Sequence, residues 1–187
     1  MMSNTYIRNV YIRNIYAPGF SFITLSFFKT NLSISFSRWL GRDENGFSKY
    51  DTKNYISTTI SDENVAALYL LSNRIVNEKL TNPVQFTIPC NKQSTITFES
   101  GIDQEGQMKI RLYIEKGKET ILFEFPIHKY KTRENDQIVE KTIQTGLIVF
   151  EEALQAYLTA IGADRQPEKL SEKALNPPAK PSTSLWS

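Results

Sequence analysis

Hydrophobic and polar residues alternate with the period of a β-strand in the second half of the chain. The spacing from Met108 to Ile114 predicts a strand whose core face carries Met108, Ile110, Leu112 and Ile114. The opposite face carries Lys109, Arg111 and Tyr113. After a charged turn, the alternation predicts a second strand at Thr120–Tyr130. The two strands would present an apolar face to a core and a cationic, aromatic face to solvent or to a polyanion.

The first half begins with a similar strand pattern. Phe20–Lys29 and Leu32–Trp39 predict two strands, and in the second of them apolar residues alternate with three serines, which places Trp39 on the serine face. Gly41–Gly46 is charged and contains Asn45-Gly46, so it predicts a loop. Lys53–Ile60 predicts the next strand.

Two helices are predicted, each after a set of strands. Ser61 is a typical N-cap for a helix at Asp62–Glu78, because acidic residues follow it in the first turn. A second helix is predicted at Phe150–Ile161, where Gly162 would end it. The strands expected between the two helices are Val84–Ile88, Ser94–Glu99, the two described above and Ile138–Thr145.

Two rounds of strands followed by a helix indicate an α+β fold with an antiparallel sheet. We expect residues 1–19 to form an N-terminal extension or strand, and residues 20–165 to form one pseudo-duplicated domain. Residues 166–187 are rich in proline, lysine and serine, which predicts a disordered tail.

Composition limits the classes of protein and the cellular locations that we expect for this chain. The net charge of +2 excludes a chain coated in cations, and 187 residues suffice for one sizeable core. With one cysteine and one histidine, neither a disulfide within the chain nor a Cys/His zinc site is possible. The longest apolar run near the N-terminus, Phe20–Phe28, is too short for a membrane span, and no secretory signal is recognised. We therefore expect a cytoplasmic protein with no membrane, metal or cofactor.

Catalytic signatures are not found in the sequence. His128 is the only histidine, no serine lies in a Gly-x-Ser-x-Gly context, and no glycine-rich phosphate loop occurs. We therefore expect a protein that is not an enzyme.

Two sets of cations and aromatics are candidates for binding single-stranded nucleic acid, in which positive groups track phosphates and rings stack on bases. In the first half the candidates are Trp39, Arg42, Lys49 and Lys53. In the second half they are Lys109, Arg111, Tyr113, Lys116, Lys118, Lys129, Tyr130 and Lys131. Each set also has a structural interpretation: the strands would be a solvated sheet face, and Trp39 would close one end of the core.

The order of elements resembles that of the Whirly group of single-stranded nucleic-acid-binding proteins, found in plants and in phages. The segments that carry the resemblance are Asn31–Trp39, Tyr50-Asp51 and Ile60–Glu63. The resemblance implies two antiparallel sheets with helices packed across them. It also implies that an oligomer binds extended single strands along the sheet edges.

The leading expectation is a sequence-tolerant single-stranded DNA-binding protein that acts in replication, recombination or repair. It would work as a homo-oligomer, in the host cytoplasm if a phage encodes it, and DNA is favoured over RNA. The alternative is a β-rich structural or protein-interaction subunit, such as a virion component, that docks on its own copies through the N-terminal strand or the tail.

Overall fold

The computed structural model describes residues 11–28, 31–78, 82–163 and 167–175. Its first sheet is antiparallel and contains β1 (Tyr11–Ala17), β2 (Ser21–Phe28), β3 (Asn31–Arg42), β4 (Ser48–Tyr50) and β5 (Ile56–Ile60). The long strand β3 pairs with β2 on one side and with both β4 and β5 on the other. Strand β1 lies beyond β2, at the edge of the sheet.

The second sheet is an antiparallel meander in the order β6-β7-β8-β9. Its strands are β6 (Val84–Cys90), β7 (Ser94–Ile102), β8 (Met108–Lys116) and β9 (Glu119–Glu124). A separate two-stranded ribbon follows, made of β10 (His128–Glu134) and β11 (Gln137–Ile143). Asn135 and Asp136 join its strands with φ values of 46° and 64°, as a tight hairpin turn of two left-handed residues requires.

The described part of the chain also contains three α-helices: α1 (Asp62–Glu78), α2 (Thr145–Ala160) and α3 (Pro167–Leu175). The Ser61 hydroxyl accepts the Asn64 N–H at 3.4 Å, which confirms the predicted N-cap of α1. Gly162 has a φ of 74°, and the following Ala163 N–H donates to the Leu158 carbonyl at 2.8 Å. This is the bond of a Schellman motif, so glycine ends α2 as predicted.

One hydrophobic core lies between the sheets and the helices. It unites the inward side chains of both sheets with α1 and α2. Several polar contacts join the halves of the chain, and two of them connect distant elements around this core. The Ser21 hydroxyl donates to the Leu122 carbonyl at 2.8 Å, and the Tyr157 hydroxyl donates to Asp62 Oδ1 at 2.5 Å. Burial and the bond to Asp62 both raise the pKa of Tyr157.

The α+β class, the antiparallel pairing and the position of α1 are confirmed, but several element boundaries are wrong, including the ends of β3 at Arg42 and of β7 at Ile102. The predicted strand Thr120–Tyr130 is broken at 125–127, where the Phe125 N–H donates to the Ile110 carbonyl and Pro126 has no N–H to give. Helix α2 begins at Thr145, five residues before the predicted start at Phe150. The predicted strand Lys53–Ile60 begins only at Ile56, and the short β4 was not expected.

Part of the segment 166–187 forms regular structure, because α3 occupies Pro167–Leu175. This helix packs on α1, and Ser171 is buried. The prediction of a disordered tail is therefore wrong for these nine residues, while residues 166 and 176–187 lie outside the described part. Of the predicted N-terminal segment 1–19, residues 11–17 form β1, and residues 1–10 lie outside the described part. In the described ranges, no helix is both long and apolar enough to cross a membrane.

Candidate nucleic-acid interface

The outer face of the first sheet, which points away from the core, is made of small, uncharged side chains. The inward residues of β2 and β3, such as Ile23 and Ile34, are fully buried, so their neighbours along each strand form the outer face. Besides Ile12 at the edge and the aromatic residues described below, this face carries the buried Ser37 and the partly or fully exposed Asn14, Thr24, Ser26, Ser33, Ser35, Ser57 and Thr59. The Ser35 hydroxyl donates to Ser57 Oγ at 3.1 Å, and Thr24 donates to Asn14 Oδ1 at 2.7 Å. The surface is thus low and polar, with many hydroxyl groups.

Aromatic rings gather at one end of this face. Tyr16 stacks on Phe22 with 5.2 Å between ring centroids, and Tyr50 meets Phe22 edge-on at 5.0 Å. Trp39 lies on the serine face, as predicted, directly opposite Tyr50 on the neighbouring strand. Its Nε1 is buried and has no hydrogen-bond partner among the described residues. A buried indole N–H without a hydrogen-bond partner costs folding free energy. It is therefore a donor available to a ligand that displaces the side chains around Trp39.

The Tyr50 hydroxyl is the second polar atom in this cluster that lacks a partner. It is buried, and no described group meets it with hydrogen-bond geometry. Burial raises the pKa of Tyr50, and the nearby Ser48 hydroxyl opposes that rise without reaching bonding geometry. Tyr50 is therefore a neutral donor at neutral pH.

Exposed aromatics surround the cluster on the adjoining turns. Tyr16, Phe20, Phe47 and Tyr55 are each between 40% and 70% exposed, although large apolar side chains usually bury more of their surface. The backbone brings these turns together, because the Trp39 N–H donates to the Phe20 carbonyl and the Asp51 N–H to the Arg38 carbonyl. We call this region the hairpin end and define it as Tyr16, Phe20, Phe22, Trp39, Arg42, Phe47, Lys49, Tyr50, Lys53 and Tyr55.

Local turn chemistry fixes the shape of the hairpin end. Asp43 Oδ1 accepts the N–H groups of Asn45 and Phe47, both at 2.9 Å, and Gly46 takes a φ of 82°. Asp51 likewise accepts the N–H groups of Lys53 and Asn54. The backbone bond from Asn54 is the main cause that lowers the pKa of Asp51. Both carboxylates are thus occupied by the backbone of their own turns.

Three predicted cations lie at the hairpin end with no carboxylate partner in the described ranges. Arg42 is exposed and donates only to the Gly46 carbonyl at 3.0 Å, and Lys49 and Lys53 are exposed without any ion pair. Arg38 makes a 3.6 Å ion pair with Glu119, which attaches the β8–β9 turn to this end of β3. Lys116 and Lys118, both exposed on that turn, therefore lie on the side of the molecule that carries the hairpin end.

The cationic face predicted on the second sheet is occupied by ion pairs. Arg111 Nε lies 2.9 Å from Glu124 Oε2, and Lys109 Nζ lies 3.4 Å from Glu124 Oε1 and 4.0 Å from Asp103. The bond to Glu124 is the main cause that raises the pKa of Arg111. The Tyr113 hydroxyl donates to Glu99, and burial together with that bond raises the pKa of Tyr113. Two cations and three carboxylates meet here, so a phosphate would have to displace existing partners.

The predicted cations of the ribbon are partly paired as well. Lys129 lies 3.4 Å from Glu140, while Lys131 is exposed with no ion pair within the described chain, and Tyr130 is also exposed. The base of the ribbon covers a cavity of about 590 Å³ that is lined by Ile75, Val76, Met108, Ile143, Ile148 and several polar residues. The ribbon and the hairpin end belong to separate sheets, and no described contact joins them.

No group of three or more histidine, cysteine, aspartate or glutamate side chains in the described ranges could hold a metal ion. The arrangement instead offers stacking surfaces, unpartnered N–H and O–H donors and unpaired cations.

Sequence reasoning missed Tyr16, Phe20 and Phe47 as members of the site. Phe47 directly follows Asn45-Gly46, and an aromatic residue placed at a tight turn is a signal that points to exposure. Tyr16 and Phe20 flank Pro18-Gly19, and strand pairing brings Tyr16 against Phe22 and Tyr50 and brings Phe20 beside Trp39. That proximity depends on strand pairing between distant segments.

Comparison with known protein-family models, curated proteins and solved structures found no match for this chain.

Proposed function

We propose that this protein binds single-stranded nucleic acid, DNA rather than RNA, at the hairpin end and along the adjoining serine and threonine face. The observation that carries the proposal is the gathering of exposed aromatics and unpaired cations at one end of the first sheet, beside its uncharged outer face. Rings that stack on bases and cations that follow phosphates are what sequence-tolerant binding of single strands requires.

The polar face beside the rings suits an extended strand. Its side chains are serine, threonine and asparagine, which are short and able both to donate and to accept hydrogen bonds. They leave room for a polymer to lie flat, and their hydroxyls can meet sugar and base edges without selecting a sequence. A protein of this kind would act in replication, recombination or repair without itself catalysing a reaction.

The two strand sets, each followed by a helix, support a relationship with the Whirly group as part of this proposal. The proposed site differs from the expectation in one respect. Of the two candidate sets, it keeps the one on the first sheet, where Arg42, Lys49 and Lys53 have no ion pair, and leaves out Lys109 and Arg111 of the second sheet, which are paired.

Fluorescence anisotropy with labelled oligothymidine tests the proposal, with duplex DNA of equal length as competitor. We expect salt-sensitive binding that duplex DNA competes for poorly, because unstacked bases are accessible only in the single strand. Equal affinity for duplex DNA, or no binding at micromolar protein, would contradict it.

A further inference from the structure

Strand β1 leaves one edge of the first sheet open. It pairs with β2 in continuous register over all seven residues, and no described strand pairs with its other edge. Natural edge strands are usually protected by lysine, proline or a bulge. Between Tyr11 and Ala17 none of these occurs, and the one cation, Arg13, lies 3.6 Å from Glu152 of helix α2. The edge therefore presents unpaired backbone groups with no feature that opposes pairing.

The side chains on this strand indicate which partner fits. On its outer face Ile12 is 60% exposed and Tyr16 is 51% exposed, with Asn14 midway between them. Two copies of β1 that meet antiparallel about an axis through Asn14 would place Ile12 of each copy opposite Tyr16 of the other. An aliphatic and an aromatic residue in directly opposite positions form a favourable cross-strand pair. Asn14 already uses its Oδ1 for Thr24, and its amide nitrogen stays free to meet the partner's Asn14.

Neighbouring registers are less favourable. An axis through Arg13 would place two like charges directly opposite each other, which destabilises a strand pair. An axis through Ile15 would place Ile12 opposite Pro18, which has no N–H for the ladder. Pairing about Asn14 is the register in which apolar groups meet and like charges do not.

We propose that two copies of this chain pair antiparallel through β1, in the register centred on Asn14. The first sheet of one copy and the first sheet of the other then form one continuous sheet. The serine and threonine faces of both copies lie on the same side of it. This self-association does not depend on nucleic-acid binding, so either proposal can fail while the other holds.

Sedimentation equilibrium of the full chain without nucleic acid tests the interface through the variant Ile12→Lys. We expect a concentration-dependent dimer for the native chain and a monomer for the variant, because a lysine on the edge opposes pairing. Ile138→Lys on the ribbon is the matched control, since Ile138 is an exposed isoleucine far from β1, and it should leave the dimer unchanged. A native chain that stays monomeric into the upper micromolar range, or a dimer that Ile12→Lys does not weaken, would overturn the proposal.

Cysteine cross-linking tests the register itself. Directly opposite residues of an antiparallel pair have Cα atoms about 4.5 to 5.5 Å apart, within the range of a disulfide. Under mild oxidation, two copies of the Asn14→Cys variant should form a disulfide with each other. The Ile12→Cys variant should form a disulfide only when it is mixed with the Tyr16→Cys variant. Peptide mass spectrometry separates these products from any bond to Cys90. A disulfide between two copies of the Ile12→Cys variant, together with none between copies of the Asn14→Cys variant, would overturn the register.

Discussion

Replacing Phe47 and Tyr55 together with alanine is expected to weaken binding to single-stranded DNA by at least about tenfold. Both rings are more than half exposed, so they contribute little to the core and the variant should fold normally. Stacking on a base is worth about 1 to 3 kcal/mol, and about 1.4 kcal/mol corresponds to a factor of ten in affinity. Anisotropy titrations at constant salt measure the loss, and a thermal unfolding curve checks that the fold is retained.

Tyr130→Ala is the matched control for this variant. Tyr130 is an exposed aromatic next to two lysines, so it has the local features of a stacking residue, but it lies on the ribbon. If the strand lies on the first sheet, affinity should not change. A large loss for Tyr130→Ala together with none for the double variant would move the site to the ribbon.

Replacing the unpaired cations with neutral residues compares the first sheet with the second sheet as the surface that contacts phosphates. Arg42→Gln, Lys49→Gln and Lys53→Gln combined should flatten the plot of log affinity against log salt by about 0.7 for each phosphate that the variant no longer neutralises. Lys109→Gln with Arg111→Gln should change that slope little, because both cations are already paired with the carboxylates of Glu124 and Asp103. The opposite pattern would show that the second sheet contacts the phosphates.

Gly146→Ala is expected to destabilise the folded chain by about 3 kcal/mol, although alanine normally favours a helix over glycine. A Cβ at this position would lie 2.4 Å from Pro126 Cδ and 2.9 Å from the Pro126 backbone nitrogen. The chain cannot yield easily there, because the Gly146 N–H donates to the Pro126 carbonyl at 2.8 Å. Urea or thermal denaturation measures the change in the free energy of unfolding.

Gly101→Ala is the control for the effect of a glycine substitution. Gly101 lies in strand β7, has no positive φ and has no atom within 4 Å of an added Cβ, so its replacement should be neutral or slightly stabilising. Pro126→Ala should partly rescue Gly146→Ala, since it removes the closest ring atoms. If Gly146→Ala is as stable as the native chain, the close packing of α2 on the β9–β10 connection is refuted.

The same contact explains why the sequence placed α2 too late and β9 too long. Thr120–Tyr130 has continuous strand spacing, but the strand is broken around Pro126, which has no N–H and whose carbonyl accepts the Gly146 N–H in the first turn of α2. Local signals at the start of α1 were complete by contrast, with a serine cap and acidic residues in the first turn, and its first residue was predicted correctly. Boundaries set by distant contacts were those that the sequence misplaced.

In the candidate site, too, features set by residue type were predicted from the sequence, and features set by distant contacts were not. Residue type alone identified Trp39 and its neighbouring cations, because aromatic and basic residues flank a predicted loop. Residue type also favoured Lys109 and Arg111, whose pairing with Glu124 depends on the register between β8 and β9. Whether a cation is free to bind a phosphate is a property of its tertiary neighbours, and a single sequence does not contain it.

Photo-cross-linking tests most directly whether a single strand lies on the first sheet. An oligothymidine that carries 5-iodouracil is irradiated in complex with the native chain, and the attached peptides are identified by mass spectrometry. We predict attachment at Tyr16, Phe20, Trp39, Phe47, Tyr50 or Tyr55. Attachment confined to Tyr113 or Tyr130 would contradict the proposed site and assign the nucleic acid to the second sheet or the ribbon.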